Sequence, residues 1–458
     1  MMKMLRILPV LFIAVAAQAG VPTTIGIIDS GVDYKHTQLT NQMWTNSGEV
    51  LNDTLDNDGN GFADDVYGWN FAEKNNQVID YKYLGTFSRD PYTYFEYQLK
   101  SFEGTISQAE KDWVNQKRQD QNFMAEMSKF GNFVHGTHVA GISAKGNMSK
   151  IMGLKIIPTE AGGLAALLEE QMEFATQGMT PMAATPFQDI LIKQFLGFIA
   201  DQNTKNLIPV AEYQTTMGVR VANGSFGSSV PALREVVKNL LTGIMKKNPP
   251  TDAECEAYAK YTVELMLQKG KAFAQKGPDT FFVFAAGNDG EDNDVLPVFP
   301  AGLRETNTIS VAATHGLDKL AVFSNYGKAT VDVAAPGVGI LSAIPGNEFL
   351  RVSGTSQAAP FVTNVIAKML EENPNMNHQE IRSVIMETVD KKDWLVEKVI
   401  SGGIVNPSRA VYAASLMKTK TRVDAISTAI KSIPDMVVVK SAQIAGGVFL
   451  PMPQLIVY

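Results

Sequence analysis

An α/β fold is what the 458-residue sequence predicts: a mainly parallel β-sheet flanked by helices, with large helical and loop insertions and a short C-terminal tail. Three observations predict it. Short apolar runs rich in Ile, Val and Phe recur along the chain, the pattern of strands buried on both faces. Helical stretches separate several of them, and alternating strand and helix argues for parallel pairing. Three of the runs end in Asp29-Ser-Gly31, Asn223-Gly-Ser225 and Ala286-Gly-Asn288. Chemistry in parallel sheets gathers beyond the carboxyl ends of strands.

Composition sets the outer bounds. With 45% hydrophobic and 19% charged residues the chain has the apolar content to fold, which excludes a disordered protein. A single cysteine, Cys255, excludes a disulfide scaffold and reads as an incidental helix residue. A net charge of −7 gives no basic face for nucleic acid. At the start, Lys3 and Arg6 precede the apolar run Ile7–Ala17 and the A-x-A site Ala17-Gln18-Ala19. That order is a secretory signal peptide over residues 1–19, and the run is too short for a membrane anchor. The expectation is a secreted protein, extracellular or periplasmic, with no stable membrane anchor. Its oligomeric state is left open.

The expected strands are Thr24–Ile28, Val219–Ala222, Phe281–Phe284, Thr308–Ala312 and Ala329–Val333. After Gly354-Thr-Ser356 an apolar stripe (Val362, Val365, Ile366, Met369, Leu370) predicts a helix that stops at Asn373-Pro374, with Pro360 in its first turn. Asn377 and Glu380 form a capping box for the next helix, whose apolar face is Ile381, Val384 and Ile385. Three stretches read as insertions. Residues 72–132 begin with an aromatic, loop-like part (Tyr81, Tyr83, Tyr92, Tyr94, Phe95, Tyr97), then a charged helix opened by Ser107-x-x-Glu110 and closed near Gly131. The aromatic part either gates a cleft or forms a satellite cluster under a long loop. Residues 160–207 hold two helical pieces, one starting at Thr185-Pro186, and residues 231–277 hold more helix with a break at Asn248-Pro-Pro250. The domain is expected over 20–412, with 413–458 as a C-terminal extension.

Three segments supply the parts of a nucleophilic machine. Asp29, at a strand end before Gly31, is placed to orient an imidazole. His135-Gly-Thr-His138-Val-Ala-Gly141 carries two of only five histidines; without the glutamate of H-E-x-x-H the pair is not a zinc site. Ser356 opens a helix, where free amides stabilise an oxyanion. Taken singly, each has a plain alternative: a turn aspartate, packed helix histidines and an N-cap serine. G-x-S-x-G is missing, and the chain order is Asp, His, Ser.

On Ile28-Asp-Ser-Gly31, His135-Gly-Thr-His-Val-Ala-Gly141, Gly354-Thr-Ser356, Ala285-Ala-Gly-Asn288 and Asn223-Gly-Ser225-Phe-Gly227, the chain resembles the subtilisin-like serine peptidases, the subtilases. Val322-Phe-Ser-Asn325, Val333-Ala-Ala-Pro-Gly337 and Gly403-Ile-Val-Asn406 also fit. The resemblance implies a secreted serine endopeptidase acting on polypeptides through an acyl-enzyme, with no cofactor needed for the chemistry. It makes Ser356 the nucleophile, His135 the base, Asp29 its orienting acid, and the Asn288 side chain with the Ser356 amide the oxyanion hole. It assigns substrate binding to Ser225, Phe226, Gly227, Ala285, Ala286 and Gly287, and a structural part to His138. Two alternatives stand beside it: a processing protease with one dedicated substrate, and a non-catalytic binding protein on the same scaffold.

The chain departs from the usual subtilase run after the nucleophile at Gln357, Ala359, Phe361, Thr363 and Asn364, none of which removes a catalytic atom. Phe226, larger than the usual leucine, is expected to reshape the pocket. Nine residues separate the expected cleavage point before Gly20 from Asp29, so folding is expected without the N-terminal prodomain many secreted subtilases carry, the insertions or tail supplying stabilisation or masking. Asp56, Asp58, Asn60 and Asp64 have the spacing of a calcium loop whose last position, Tyr67, lacks the usual glutamate. A structural calcium and a plain Asx-rich turn are the two readings.

Overall fold

The computed structural model describes residues 22–160, 186–243 and 250–437. The predicted signal segment, the first helical piece of the second insertion, the Asn248-Pro-Pro250 break up to residue 249, and the tail from 438 lie outside them. The strands are β1 (Thr24–Asp29), β2 (Gly68–Asn70), β3 (Lys150–Lys155), β4 (Val221–Gly224), β5 (Ser228–Ser229), β6 (Phe281–Ala285), β7 (Val298–Phe299), β8 (Thr308–His315), β9 (Lys319–Leu320), β10 (Val333–Pro336), β11 (Ile340–Ile344), β12 (Glu348–Val352), β13 (Asp390–Lys391) and β14 (Gly403–Ile404). The central sheet runs β13-β14-β10-β8-β6-β4-β1-β3-β2, with β9 paired to β8. Its pairings are parallel except β8–β9 and β13–β14.

Successive side chains of a strand point to opposite faces, and here both faces are apolar. Ile25 and Ile27 of β1 and Phe281, Val283 and Ala285 of β6 enter one core. Ile28, Phe282 and Phe284 enter the other. The first core is closed by α3 (Gln121–Ala144), α8 (Thr355–Glu372), α9 (His378–Glu387), α10 (Pro407–Leu416) and α11 (Arg422–Ser432). The second is closed by α4 (Pro186–Lys205), α5 (Ile208–Thr216), α6 (Val230–Gly243) and α7 (Asp252–Lys276). Chain order reverses on either side of β1, which puts the carboxyl ends of β1, β4 and β6 around one crevice, as ligand sites in such sheets require.

Several boundaries differ from the sequence reading. The fourth strand is displaced to Val221–Gly224. The run Ala329–Asp332 precedes β10 rather than forming it: Ala329 N and Thr330 Oγ1 donate to Asp294, and the Asp332 carboxylate is occupied by Ser310 and Arg304. β3 escaped the reading because Lys150 and Lys155 bracket it. Lys155 is nonetheless buried, its ammonium 2.7 Å from Glu73 and 3.3 Å from Asp80. The aromatic part of the first insertion is largely helix, α1 (Asp90–Phe102), followed by α2 (Gln108–Gln119). Ser107 and Glu110 cap α2 reciprocally as expected. The next helix does not close at Gly131; Asp120 caps α3, which runs through Gly131 and carries both histidines. Tyr94, Phe95 and Phe130 form a satellite cluster with Tyr81, Tyr83, Tyr92 and Tyr97 against α3. No helix among the described residues is long and apolar enough to cross a membrane. Beyond α11 the chain is pinned by Arg409, whose guanidinium bonds Asp390 and Asp435.

Two of the three glycines of α3, Gly131 and Gly136, separate packing from propensity. A Cβ on Gly136 would lie 2.2 Å from the Gly31 carbonyl oxygen, whereas one on Gly131 meets nothing within 4 Å. Gly136→Ala is expected to lower the urea-unfolding free energy by about 1–3 kcal/mol through overpacking. Gly131→Ala is expected to raise it by up to about 1 kcal/mol through helix propensity.

Candidate active site

β1 delivers Asp29 to the crevice fully buried, and α3 brings His135 against it across 106 residues of sequence, Nδ1 lying 2.7 Å from Asp29 Oδ1. The approach depends on two residues without side chains. Gly31 has φ +127°, and its backbone oxygen sits where a Cβ of Gly136 would be. Ser30 and Thr137 complete the seam: Gly136 N donates to Ser30 Oγ at 3.2 Å, and Asp33 N to Thr137 Oγ1 at 2.9 Å. Sequence reasoning gave these two hydroxyls no role, although both stand inside the quoted motifs. Asp29 Oδ1 also accepts Ser30 N at 2.7 Å, while Oδ2 is buried without a partner. A carboxylate can only accept, so His135 Nδ1 donates, and in the neutral ring Nε2 is then the nitrogen with the lone pair. Nε2 is buried too, with no hydrogen-bond partner among the described residues.

Ser356 is the second residue of α8 and is 3% exposed. Its hydroxyl donates to the Ser225 carbonyl at 3.4 Å, not to His135. The expected hydrogen-bonded chain of three is therefore joined at Asp29–His135 and open at Ser356. Such bonds are often loose until substrate is bound. Pro360 falls inside α8, not in its first turn. It has no N–H to offer the carbonyl four residues back. That carbonyl belongs to Ser356, and it accepts the Ser225 hydroxyl instead, at 3.1 Å. Ser225 Oγ in turn accepts from Asn223, whose side-chain oxygen accepts from Thr363.

Asn288 follows β6. Its Oδ1 accepts both Thr355 N and Thr355 Oγ1 at 2.9 Å, which turns its NH2 away from Thr355. Gly287, at φ +119°, lies where a Cβ would meet the Asn325 amide at 2.4 Å. Asn325 Oδ1 then accepts Asp289 N and Glu291 N, holding the loop. Sequence reasoning quoted Thr355 and Asn325 only as parts of motifs.

The residues assigned to substrate sit deeper than expected. Ser225, Phe226, Ala285 and Ala286 have no exposed surface. The Phe226 ring packs edge-on to Phe284 in the second core, so it does not reshape a pocket. Gly227 faces the Phe299 carbonyl.

The acidic loop also departs from its reading. Asp56 accepts Asn60 N and Gly61 N, Asn60 Oδ1 accepts Phe62 N, and Asp64 Oδ2 accepts Thr54 N. The Asn60–Phe62 bond is an Asx turn, and the others are longer side-chain ties to loop amides. Among the described residues, the carboxylates that converge within 4.8 Å are Glu49, Asp58 and Asp65. Burial raises the Asp65 carboxyl above the ordinary range, despite hydrogen bonds from Tyr213, Asn46 and Asn60.

Fold and site together define a class: a parallel α/β protein with an acid–imidazole pair at the sheet's switch point and a serine opening the adjoining helix. The sequence profile of the subtilase family matches residues 20–406, and the chain belongs to that family. It is 29% identical over 220 residues to subtilisin-like protease 2 of Plasmodium falciparum (isolate 3D7), a stretch covering 47% of this chain and 16% of that one. It is 43% identical over 109 residues to the thermophilic serine proteinase of Bacillus sp. (strain AK1), covering 24% of this chain and 25% of the relative. The chain thus spans a quarter or less of the length of these two relatives. A lanthipeptide protease crystal structure superposes with a TM-score of 0.47 at 15% identity, covering 86% of this chain and 88% of that one.

His138 sits one turn beyond His135, and burial pushes its pKa from 6.5 down to about 4. Between those values the unfolded chain binds the proton more readily, so acidification favours unfolding; above them the ring is neutral in both states. Urea-unfolding free energy is expected to fall by about 3 kcal/mol from this group as pH drops from about 6.5 to about 4. His138→Gln is expected to lack that component.

Proposed function

We propose that this protein is a secreted serine endopeptidase that cleaves polypeptides through a Ser356 acyl-enzyme. The observation that carries the reading is the buried Asp29–His135 bond, which leaves Nε2 as a base with its lone pair free. In this mechanism the Ser356 hydroxyl turns from the Ser225 carbonyl toward Nε2 and attacks the scissile carbonyl. His135 takes its proton and delivers it to the leaving amine, while Asp29 stabilises the imidazolium. The oxyanion is met by the Ser356 amide, which in the first turn of α8 has no intrahelical acceptor, and by the Asn288 NH2. Water then releases the acyl group by the same steps in reverse. Ser225–Gly227 would pair with an extended peptide as an added strand, and Ala285–Gly287 would wall its pocket, once the crevice opens over these buried residues. Secretion is proposed from the basic, apolar and A-x-A order of residues 1–19.

A fluorophosphonate should label the wild-type chain and not Ser356→Ala. No labelling of wild type would return the chain to the binding-protein reading, and labelling with casein left intact would favour a dedicated processing enzyme. Asn288→Ala is expected to lower kcat by ~10²–10³ at little-changed KM, the size known for the corresponding asparagine of subtilisin itself.

For the acidic loop, the oxygen-only set Glu49, Asp58 and Asp65 suits a hard divalent cation such as calcium, in place of Asp56, Asp58, Asn60 and Asp64. Calcium is expected to raise the thermal midpoint of wild type and of Asp56→Ala, and to leave Asp58→Ala unmoved. No shift in wild type would leave the Asx-turn reading.

A further inference from the structure

We propose that Gln357 is a positioning residue: its side-chain amide locks His138 in one neutral tautomer and so ties the helix of the base to the start of the helix of the nucleophile. The starting observation is the surroundings of His138, which is 1% exposed. Its Nε2 lies 3.1 Å from the Ile340 carbonyl and 3.0 Å from the Leu350 carbonyl, one from each strand of the β11–β12 hairpin. Carbonyl oxygens only accept, so Nε2 must carry the ring proton, and Nδ1 of the neutral ring then holds a lone pair. A buried lone pair needs a donor. The Gln357 Nε2 amide stands 3.5 Å from Nδ1, and Gln357 is itself 1% exposed. A thioether or alkyl side chain there has no hydrogen to give.

The link joins three parts. Gln357 adjoins Ser356, His138 stands one turn from His135, and the hairpin runs into the nucleophile loop. Ser342 Oγ on the hairpin donates to the His138 carbonyl at 2.7 Å, fastening the same turn of α3 from its backbone side. Farther along α8, Asn364 Nδ2 donates to the Ser143 and Lys145 carbonyls at 2.9 Å, gripping the other end of α3. The spacing of His135 from Ser356 is therefore set by polar contacts between α3 and α8 as well as by packing. A neutral His138 also keeps a second cation away from the imidazolium that His135 becomes during turnover.

The proposal rests on the reading of Ser356 and His135 as nucleophile and base, and two measurements keep the claims apart. In ¹⁵N NMR of the histidine-labelled chain, with His138 assigned by its loss in His138→Gln, the ring is expected to be neutral and protonated on Nε2 at neutral pH. Its Nδ1 resonance should move in Gln357→Met. A proton on Nδ1, or an Nδ1 signal unmoved by that substitution, overturns the pairing whether or not the chain cleaves peptides. In peptide hydrolysis, Gln357→Met is expected to lower kcat by about three- to thirtyfold with KM changed less than about twofold, as a small misplacement of reacting groups does. In the His138→Gln background the same substitution should add less than about twofold, because its partner is already gone. Wild-type kcat in Gln357→Met, or equal losses in both backgrounds, overturns the positioning role. Absence of fluorophosphonate labelling in wild type overturns the serine-peptidase reading instead, and the tautomer measurement still decides the pairing.

Discussion

A carboxylate at the end of a strand can hold an imidazole in the middle of a helix only if the two backbones nearly touch. Here contact is made at Gly31 and Gly136, and the 2.7 Å bond between Asp29 and His135 depends on it. Much of the surrounding architecture serves that seam. The parallel sheet sets Asp29 at the point where chain order reverses, and Ser30 and Thr137 bond across the join. The arrangement carries a cost: Asp29 Oδ2 and His135 Nε2 are both buried without partners among the described residues. Uncompensated polar atoms of this kind belong where a fold trades stability for a poised group.

The other half of the site is built from a helix that breaks its own rule. Pro360 removes one hydrogen bond inside α8, and Ser225 occupies the carbonyl this frees. The missing bond thus becomes a tie between α8 and the segment after β4. Thr363 and Asn364, which depart from the usual family run, extend the same principle to Asn223 and to the end of α3. These departures put hydrogen-bonding groups at buried helix contacts, where a satisfied polar pair restricts geometry more than apolar packing does.

The first insertion acts as a brace. Its aromatic residues pack on α3 upstream of His135 and reach Ile344 of the hairpin, and Tyr81 donates to Asp33 at 2.6 Å. The helix that carries His135 is thus long, capped by Asp120 and packed on more than one side. The acidic loop shows how local spacing misleads. Asp56 and Asn60 spend their oxygens on nearby amides, while Glu49 and Asp65, outside the expected set, converge with Asp58.

By itself the sequence determined the fold class, the capping boxes at Ser107 and Asn377, and the motifs that hold Asp29, His135 and Ser356. Those features rest on periodicity and on residue types at short range, and a one-dimensional string preserves both. It misplaced the strand at Ala329–Val333 and hid the one at Lys150–Lys155, because partners remote in sequence decide them: Asp294 and Ser310 for the first, Glu73 and Asp80 for the second. It also put Phe226 at a pocket that its ring does not line. Only the tertiary structure decided that Asp29 meets His135, that the Ser356 hydroxyl rests on Ser225, and that Gln357 faces His138. Those contacts join residues about a hundred or more positions apart, and the packing of helices on a sheet fixes such distances where neighbouring residues cannot.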